Sequence, residues 1–287
     1  MFSKKLHMKK ILFVLTALLS LSATAQIKMP AASPTQTLIQ DFGLGKIEIV
    51  YSRPGLKGRA VFGNGSLLAP TGTIWRTGAN GATKVTFSDP VTIGDKTLAA
   101  GSYGLFTIPG ENEWTIIFNT NSKGWGSFEY KEAEDVVRIK VKPEMTSSNT
   151  ETFTITVGNI TAETASIILK WAKTMVNIPI KADIKPTIRK QVESSINSAS
   201  ANGAAYSAAA NFYFDMDKDY AKALANVNKA IDATPNAYWL FLLKAKAQKE
   251  LGDKKGAKVS AEACVKMAEA SKNMDYVRSG NEVIASL

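Results

Sequence analysis

The sequence predicts a multidomain β + α protein in which an antiparallel β-sandwich is followed by an α-helical array. From Ile47 to Trp171 apolar and polar residues alternate in about eight or nine short segments, most of them separated by turn residues. From Thr187 onward the apolar residues instead recur about every 3.6 positions, and Ala is abundant. The strand-like segments leave no room for crossover helices, so the sheets should be antiparallel. Pro179 and Pro186 mark the change near Ile184.

The N-terminal residues have the features of a secretory signal. Lys9 and Lys10 precede a short apolar stretch from Ile11 to Leu21, and Ala23-Thr24-Ala25 is a typical cleavage site. The apolar stretch is too short to span a bilayer, which disfavours the alternative of an uncleaved membrane anchor. The sequence therefore predicts a signal peptide over residues 1–25 and an exported protein, periplasmic or extracellular. After cleavage no integral membrane segment is expected. Translation could begin at Met1 or at Met8.

Composition excludes several classes of chemistry for the exported chain. The only histidine of the full sequence, His7, lies before or within the signal, so the exported chain has none, and the only cysteine is Cys264. An intrachain disulfide, Ser-His-Asp or Cys-His catalysis and histidine-ligated metal sites are therefore excluded. Removing the four lysines of residues 1–25 lowers the net charge from +10 to +6. No dense basic run remains, so no nucleic acid partner is expected, and the sequence predicts no cofactor and no metal.

The β region should occupy residues 26–183. Its strands are predicted around residues 47–51, 83–87, 91–93, 103–108, 114–118, 137–141, 153–157 and 167–171. Residues 26–40 are interpreted as an extended lead-in, and residues 119–135 as a long loop or short helix. Of the possible topologies we expect a jelly-roll-like sandwich.

The helical region should occupy residues 184–287. Within residues 204–271 two units repeat with an offset of 34 residues. The matching pairs are Asp219 with Asp253, Ala223 with Ala257, Val227 with Ala261, and Ala230 with Cys264. This spacing resembles degenerate tetratricopeptide (TPR) repeats, with helices near 187–200 and 273–284 as caps. The resemblance implies a protein-interaction region. A generic helical bundle is the alternative.

The β region also carries long, specific motifs. They are Tyr51-Ser52-Arg53-Pro54 with Lys57-Gly58-Arg59, Trp75-Arg76-Thr77-Gly78-Ala79-Asn80, the run from Gly101 to Gly110, Trp114-Thr115-Ile116-Ile117-Phe118-Asn119, and Trp125-Gly126. On these motifs, about residues 30–180 resemble the DUF2911 family. The resemblance implies a secreted β-rich domain and no known reaction, so no catalytic residue can be assigned from it.

The strongest candidate site is an anion or sugar patch. Between Ile49 and Ser88 there are five cationic residues and no acidic one. Arginine binds carboxylate or phosphate through two parallel hydrogen bonds, tryptophan offers a stacking face, and asparagine both donates and accepts. The predicted patch consists of Arg53, Lys57, Arg59, Trp75, Arg76, Asn80, Asn119 and Trp125. The alternative is structural: the arginines pair with Glu48, Asp89 or the acids of residues 129–135, and the tryptophans belong to the core.

These patterns favour a non-enzymatic binding or scaffold protein that docks a protein partner or an anionic or glycan ligand. A carboxylate-dependent carbohydrate-active enzyme is the alternative, since glycoside hydrolysis requires only two carboxyl groups and no histidine. That alternative needs two acidic residues that converge in one cleft.

Overall fold

The computed structural model describes residues 29–287, so the predicted signal peptide lies outside the described residues. The β-then-α layout is confirmed: strands run as far as Lys181, and helices follow from Lys185. Within residues 29–287, none of the helices combines the length and apolar character needed to cross a membrane.

The β region forms two antiparallel sheets. The larger has the order β1-β2-β3-β6-β7-β8, and the smaller the order β5-β4-β10-β9. The strands are β1 (Thr35–Phe42), β2 (Gly45–Ser52), β3 (Ala79–Phe87), β4 (Val91–Ile93), β5 (Lys96–Leu98), β6 (Gly101–Ile108), β7 (Trp114–Asn119), β8 (Asp135–Val141), β9 (Pro143–Gly158) and β10 (Thr164–Lys181). Residues 35–40 of the expected lead-in thus belong to the edge strand β1. Between β7 and β8 the chain is a loop that ends in a short 3-10 turn at Glu132–Glu134.

Period-two alternation accounts for the core between the sheets. In β2, Ile47, Ile49 and Tyr51 are buried while the intervening side chains are less so. Phe153 of β9 and Ile167 of β10 contribute from the smaller sheet to the same hydrophobic cluster. Burying each of these side chains stabilises the fold by about 1.5–3 kcal/mol relative to leaving it exposed. Because both sheets contribute to this one cluster, the cluster holds them together.

The helical region contains six helices among the described residues. They are α1 (Lys185–Ile196), α2 (Gly203–Asn211), α3 (Tyr220–Ala233), α4 (Tyr238–Glu250), α5 (Lys254–Ala270) and α6 (Met274–Ala285). A single wide helical turn, Phe212–Asp217, extends α2.

The 34-residue offset corresponds to equivalent positions in two helical hairpins. Asp219 caps α3 by accepting from the Lys222 amide at 3.0 Å, and Asp253 caps α5 in the same way through Gly256 at 2.9 Å. The pairs Ala223 with Ala257, Val227 with Ala261, and Ala230 with Cys264 are all fully buried. Small residues recur there because they lie where helices approach each other closely.

A link of three residues, 182–184, joins β10 to α1. Ala182 and Ile184 are buried in the β core, whereas Asp183 between them is exposed. Ile188 of α1 and Met216 pack against both the β core and the first helical cluster. The two regions are therefore in direct contact through apolar side chains.

Candidate functional site

The signature turn Trp75–Asn80 is built on a core tryptophan. The Trp75 ring is 5% exposed and stacks on Trp171 with ring centroids 5.7 Å apart, while Phe153 lies 5.1 Å away. Its Nε1 donates to the carbonyl of Gly78 at 3.1 Å, which closes the turn. Trp75 and Trp114 are thus core residues, as the structural alternative held. Trp75 has no open ring face for a sugar, so we leave it out of the candidate site.

The same turn contains two residues in the left-handed backbone region. Thr77 has φ 54° and Asn80 has φ 60°. This conformation is unusual for a β-branched residue, and it persists only where the surroundings enforce it. Thr77 is fully buried and donates from Oγ1 to the Thr107 hydroxyl at 3.1 Å. The outcome is that Trp75 and Thr77 are buried while Arg76 and Asn80 reach the surface.

Arg53 and Arg59 are held by hydrogen bonds to neutral groups. Arg53 donates from Nε to the Phe153 carbonyl at 3.1 Å and from Nη2 to the Thr154 hydroxyl at 2.9 Å. Arg59 donates from Nε and Nη2 to two carbonyls of its own turn, at 3.0 and 2.8 Å. Both guanidinium groups therefore fasten the segment after β2, and Arg53 joins it to β9.

The ion pairs that the structural alternative predicts for the arginines are absent among the described residues. None of Arg53, Arg59 and Arg76 lies within 4.0 Å of a carboxylate in residues 29–287. Asp89 instead accepts from Ser88 at 3.0 Å. The acids of residues 129–135 have other partners as well, since Glu132 and Asp135 pair with Arg138, and Glu134 pairs with Lys131. Lys57 is exposed, and its backbone amide donates to Glu151 at 2.9 Å.

Arg76, Asn80 and Trp125 are brought together at the start of β3. The loop after β7 pairs with this strand through a bridge between Gly81 and Trp125, and Gly126 donates its amide to the Asn80 carbonyl at 3.0 Å. Arg76 reaches the same carbonyl from Nη1 at 3.4 Å. These contacts place the cation beside the loop.

Phe128 completes this surface, which we call the Arg76 patch: Arg76, Asn80, Trp125 and Phe128. Gly126 has φ +69°, and a Cβ there would lie 2.9 Å from both Arg76 Nη1 and the Phe128 ring. The positive φ favours glycine at this position, and a Cβ would push the guanidinium and the ring away from the backbone. Trp125 is 63% exposed and Phe128 86% exposed. Sequence reasoning missed Phe128, although its position in the glycine-containing loop after Trp125 is a usable signal.

Asn119 supports the loop and does not reach the patch. It is fully buried and donates from Nδ2 to the Lys131 carbonyl at 3.0 Å and to Asp135 at 2.8 Å. Its side-chain oxygen accepts from the Asn121 amide at 2.8 Å. Tyr130 donates its hydroxyl to the other oxygen of Asp135 at 2.8 Å. Burial first, and then this bond to Asp135, raises the pKa of Tyr130 well above its ordinary value.

The helical region offers a second surface, a groove along α2, α4 and α6. Two cavities of 270 and 200 Å³ both include Phe214 and Lys246 in their walls and so adjoin each other. Trp239 of α4, 46% exposed, and Tyr276 of α6 line the second cavity. No group of three or more His, Cys, Asp or Glu side chains that could hold a metal ion is found in the described part of the chain.

Comparison with known proteins gives one family. The model of DUF2911, described as a protein of unknown function, matches residues 33–180. No curated protein and no solved structure matches the chain.

Proposed function

The chain belongs to the DUF2911 family, which assigns no reaction, and we propose that it acts as an exported, non-enzymatic binding protein. Its β region would hold a carboxylate-bearing saccharide on the Arg76 patch, and its helical region would dock a protein. The signal features of residues 1–25 support export to the periplasm or the exterior, with the mature chain beginning at Gln26. Intact-mass measurement of the exported form tests this start, and a mass that includes residues 8–25 would contradict it.

The observation that carries the ligand proposal is the uncommitted guanidinium of Arg76. Arg53 and Arg59 each make two hydrogen bonds of 3.1 Å or shorter, whereas the bond from Arg76 to a carbonyl is 3.4 Å long. The remaining N–H groups of Arg76 form a planar fork that matches a carboxylate. Exposed aromatic rings beside such a fork suit the apolar face of a sugar ring. Together these groups favour an acidic saccharide over a bare anion.

Isothermal titration calorimetry with trigalacturonate, maltotriose and inorganic phosphate tests the proposal. We expect trigalacturonate alone to bind. Arg76→Lys should weaken that binding about tenfold although the charge is kept, because one charge-assisted bond of the fork is worth about 1.4 kcal/mol or more. Arg59→Lys is the matched control and should bind as the wild type does. Equal binding of trigalacturonate and maltotriose, or unchanged binding by Arg76→Met, would refute the assignment.

For the helical region we propose a TPR-like array. Equivalent burial of residues 34 positions apart and the groove along α2, α4 and α6 support it. Ala223→Leu and Ala257→Leu should each destabilise the protein by about 1–3 kcal/mol, because both positions are fully buried. Ala225→Leu, on the exposed side of α3, is the control and should be close to neutral. Unequal effects at the two repeat positions would favour a generic bundle. For the β region, the jelly-roll-like topology stays a prediction, supported by two antiparallel sheets around one core.

One observation favours the enzymatic alternative. Asp89 and Asp183 line the same cavity, of 390 Å³, as a pair of catalytic carboxyl groups would. The general acid of such a pair is normally buried in apolar surroundings, whereas both of these side chains are exposed. Binding without hydrolysis is therefore the better-supported proposal. If the protein released reducing sugar from an oligosaccharide and Asp89→Asn abolished that release, the enzymatic alternative would become the better-supported proposal.

A further inference from the structure

The 390 Å³ cavity lies where the β region meets α1, and we call it the junction cleft. Its apolar floor includes Phe42, Ile47, Phe87 and Ala182, all of them buried. Exposed charged side chains, Lys46, Asp89 and Asp183, stand among its lining residues. A small-molecule site typically has a volume of about 300–1,000 Å³, an apolar interior and a few polar groups, and the junction cleft has all three properties.

Asp89 is held in place on the turn between β3 and β4. Its Oδ2 accepts from the Ser88 hydroxyl at 3.0 Å, and the Ser88 oxygen accepts from the Lys46 amide at 2.7 Å. The carboxylate lies directly over Gly45, where a Cβ would come within 1.8 Å of Oδ2. Any larger residue at Gly45 would displace this carboxylate, so the glycine preserves its position.

The charges of the junction cleft are not neutralised by one another. Within residues 29–287 neither Asp89 nor Asp183 lies within 4.0 Å of a cationic side chain, and Lys46 lies within that distance of no carboxylate. Two carboxylates and one ammonium group therefore line one apolar cleft without pairing. A cationic ligand pairs with the aspartates but leaves Lys46 without a partner, and an anionic ligand pairs with Lys46 but is repelled by the two aspartates. A dipolar ligand meets an opposite charge at each end.

We propose that the junction cleft binds a small zwitterion with an apolar side chain, that is, a free apolar amino acid or a short peptide of such residues. Asp89 and Asp183 receive the ammonium group, Lys46 receives the carboxylate, and the apolar floor receives the side chain. This site is separate from the Arg76 patch and does not depend on the function proposed for that surface. Because Ile184 and Thr187 also line the cleft, the ligand contacts the link and α1 as well as the β region.

Calorimetry on the chain from Gln26 with three matched probes tests the proposal. L-Phenylalanine carries both charges, phenethylamine lacks the carboxylate, and 3-phenylpropanoate lacks the ammonium group. We expect L-phenylalanine to bind, and each analogue to bind at least about threefold to fivefold more weakly, as partly solvated ion pairs imply. Absence of L-phenylalanine binding, or phenethylamine binding as tightly as L-phenylalanine, would overturn the proposal.

Variants locate the site. Asp183→Asn should lower the affinity for L-phenylalanine, and adding Asp89→Asn to it should lower that affinity further. Neither change should weaken the binding of 3-phenylpropanoate. Asp232→Asn, an exposed change on α3, is the control and should bind as the wild type does. Should Asp89→Asn fail to fold, Asp183→Asn alone decides, because its side chain is exposed on the link. Unchanged L-phenylalanine affinity in that variant would place binding elsewhere and refute the assignment.

Discussion

Comparing Arg76→Met with Arg53→Met separates a recognition arginine from a structural one. Methionine keeps most of the apolar stem and removes the guanidinium in both variants. Arg53 then loses two hydrogen bonds, at 3.1 and 2.9 Å, that join the end of β2 to β9. Arg76 loses one bond of 3.4 Å to a carbonyl, and no carboxylate among the described residues is stranded.

The expected magnitudes differ severalfold. Two bonds from a partly exposed cation are worth about 2–3 kcal/mol, whereas a single long one is worth at most about 0.5 kcal/mol. In a domain of about 150–250 residues, 1 kcal/mol shifts Tm by about 2–4 °C. Arg53→Met should therefore lower Tm by about 4–12 °C, and Arg76→Met by about 2 °C or less.

Differential scanning calorimetry of both variants, together with trigalacturonate titration, is the assay. Arg76→Met should melt within about 2 °C of the wild type and no longer bind the saccharide. Arg53→Met should melt at a clearly lower temperature and still bind the saccharide when it is assayed at a temperature where it is folded. A loss of Tm in Arg76→Met equal to that in Arg53→Met would refute the reasoning, because it would mean that Arg76 is a structural residue.

Three further outcomes are expected. Limited proteolysis should cut within residues 179–203, where residues 197–202 form an exposed turn, and leave a β-rich fragment; loss of both halves together would contradict separate domains. Burial raises the pKa of the Cys264 thiol, so a disulfide reagent should modify it slowly in the native protein and fast in urea, and rapid native labelling would argue against the packed hairpins. Burial, and then Asp135, raises the pKa of Tyr130. The contribution of this phenol to the free energy of unfolding should therefore be constant below about pH 10 and fall above it, because the unfolded chain releases the proton first. Urea titrations at about pH 9 and about pH 11 should therefore show a smaller decline for Tyr130→Phe than for the wild type.

Alternation of buried and exposed side chains made most of the strands predictable. Ile47, Ile49 and Tyr51 are buried in β2 as the sequence indicates. The edge strand β1 was harder to recognise, because Thr35 to Asp41 are all exposed or only partly buried and show no apolar face. The 34-residue offset was readable because its small residues must fit between helices.

Local sequence could not predict which arginines make structural hydrogen bonds and which remain available to a ligand. Arg53 and Arg76 both stand in an acid-poor segment, and only one of them meets β9. The carbonyl that holds Arg53 belongs to Phe153, 100 residues along the chain. Position in the tertiary fold, and not residue type or spacing, therefore decides which guanidinium is engaged and which is left available.

The link at residues 182–184 carries information of a different kind. Its side chains alternate as buried Ala182, exposed Asp183 and buried Ile184, so it continues the strand's period up to the first turn of α1. Inserting a single residue here would reverse that alternation, turning Ile184 toward water and an aspartate toward the core. A spacer inserted into this link by design would therefore have to be even in length if the side chains on either side of it are to keep their buried and exposed positions.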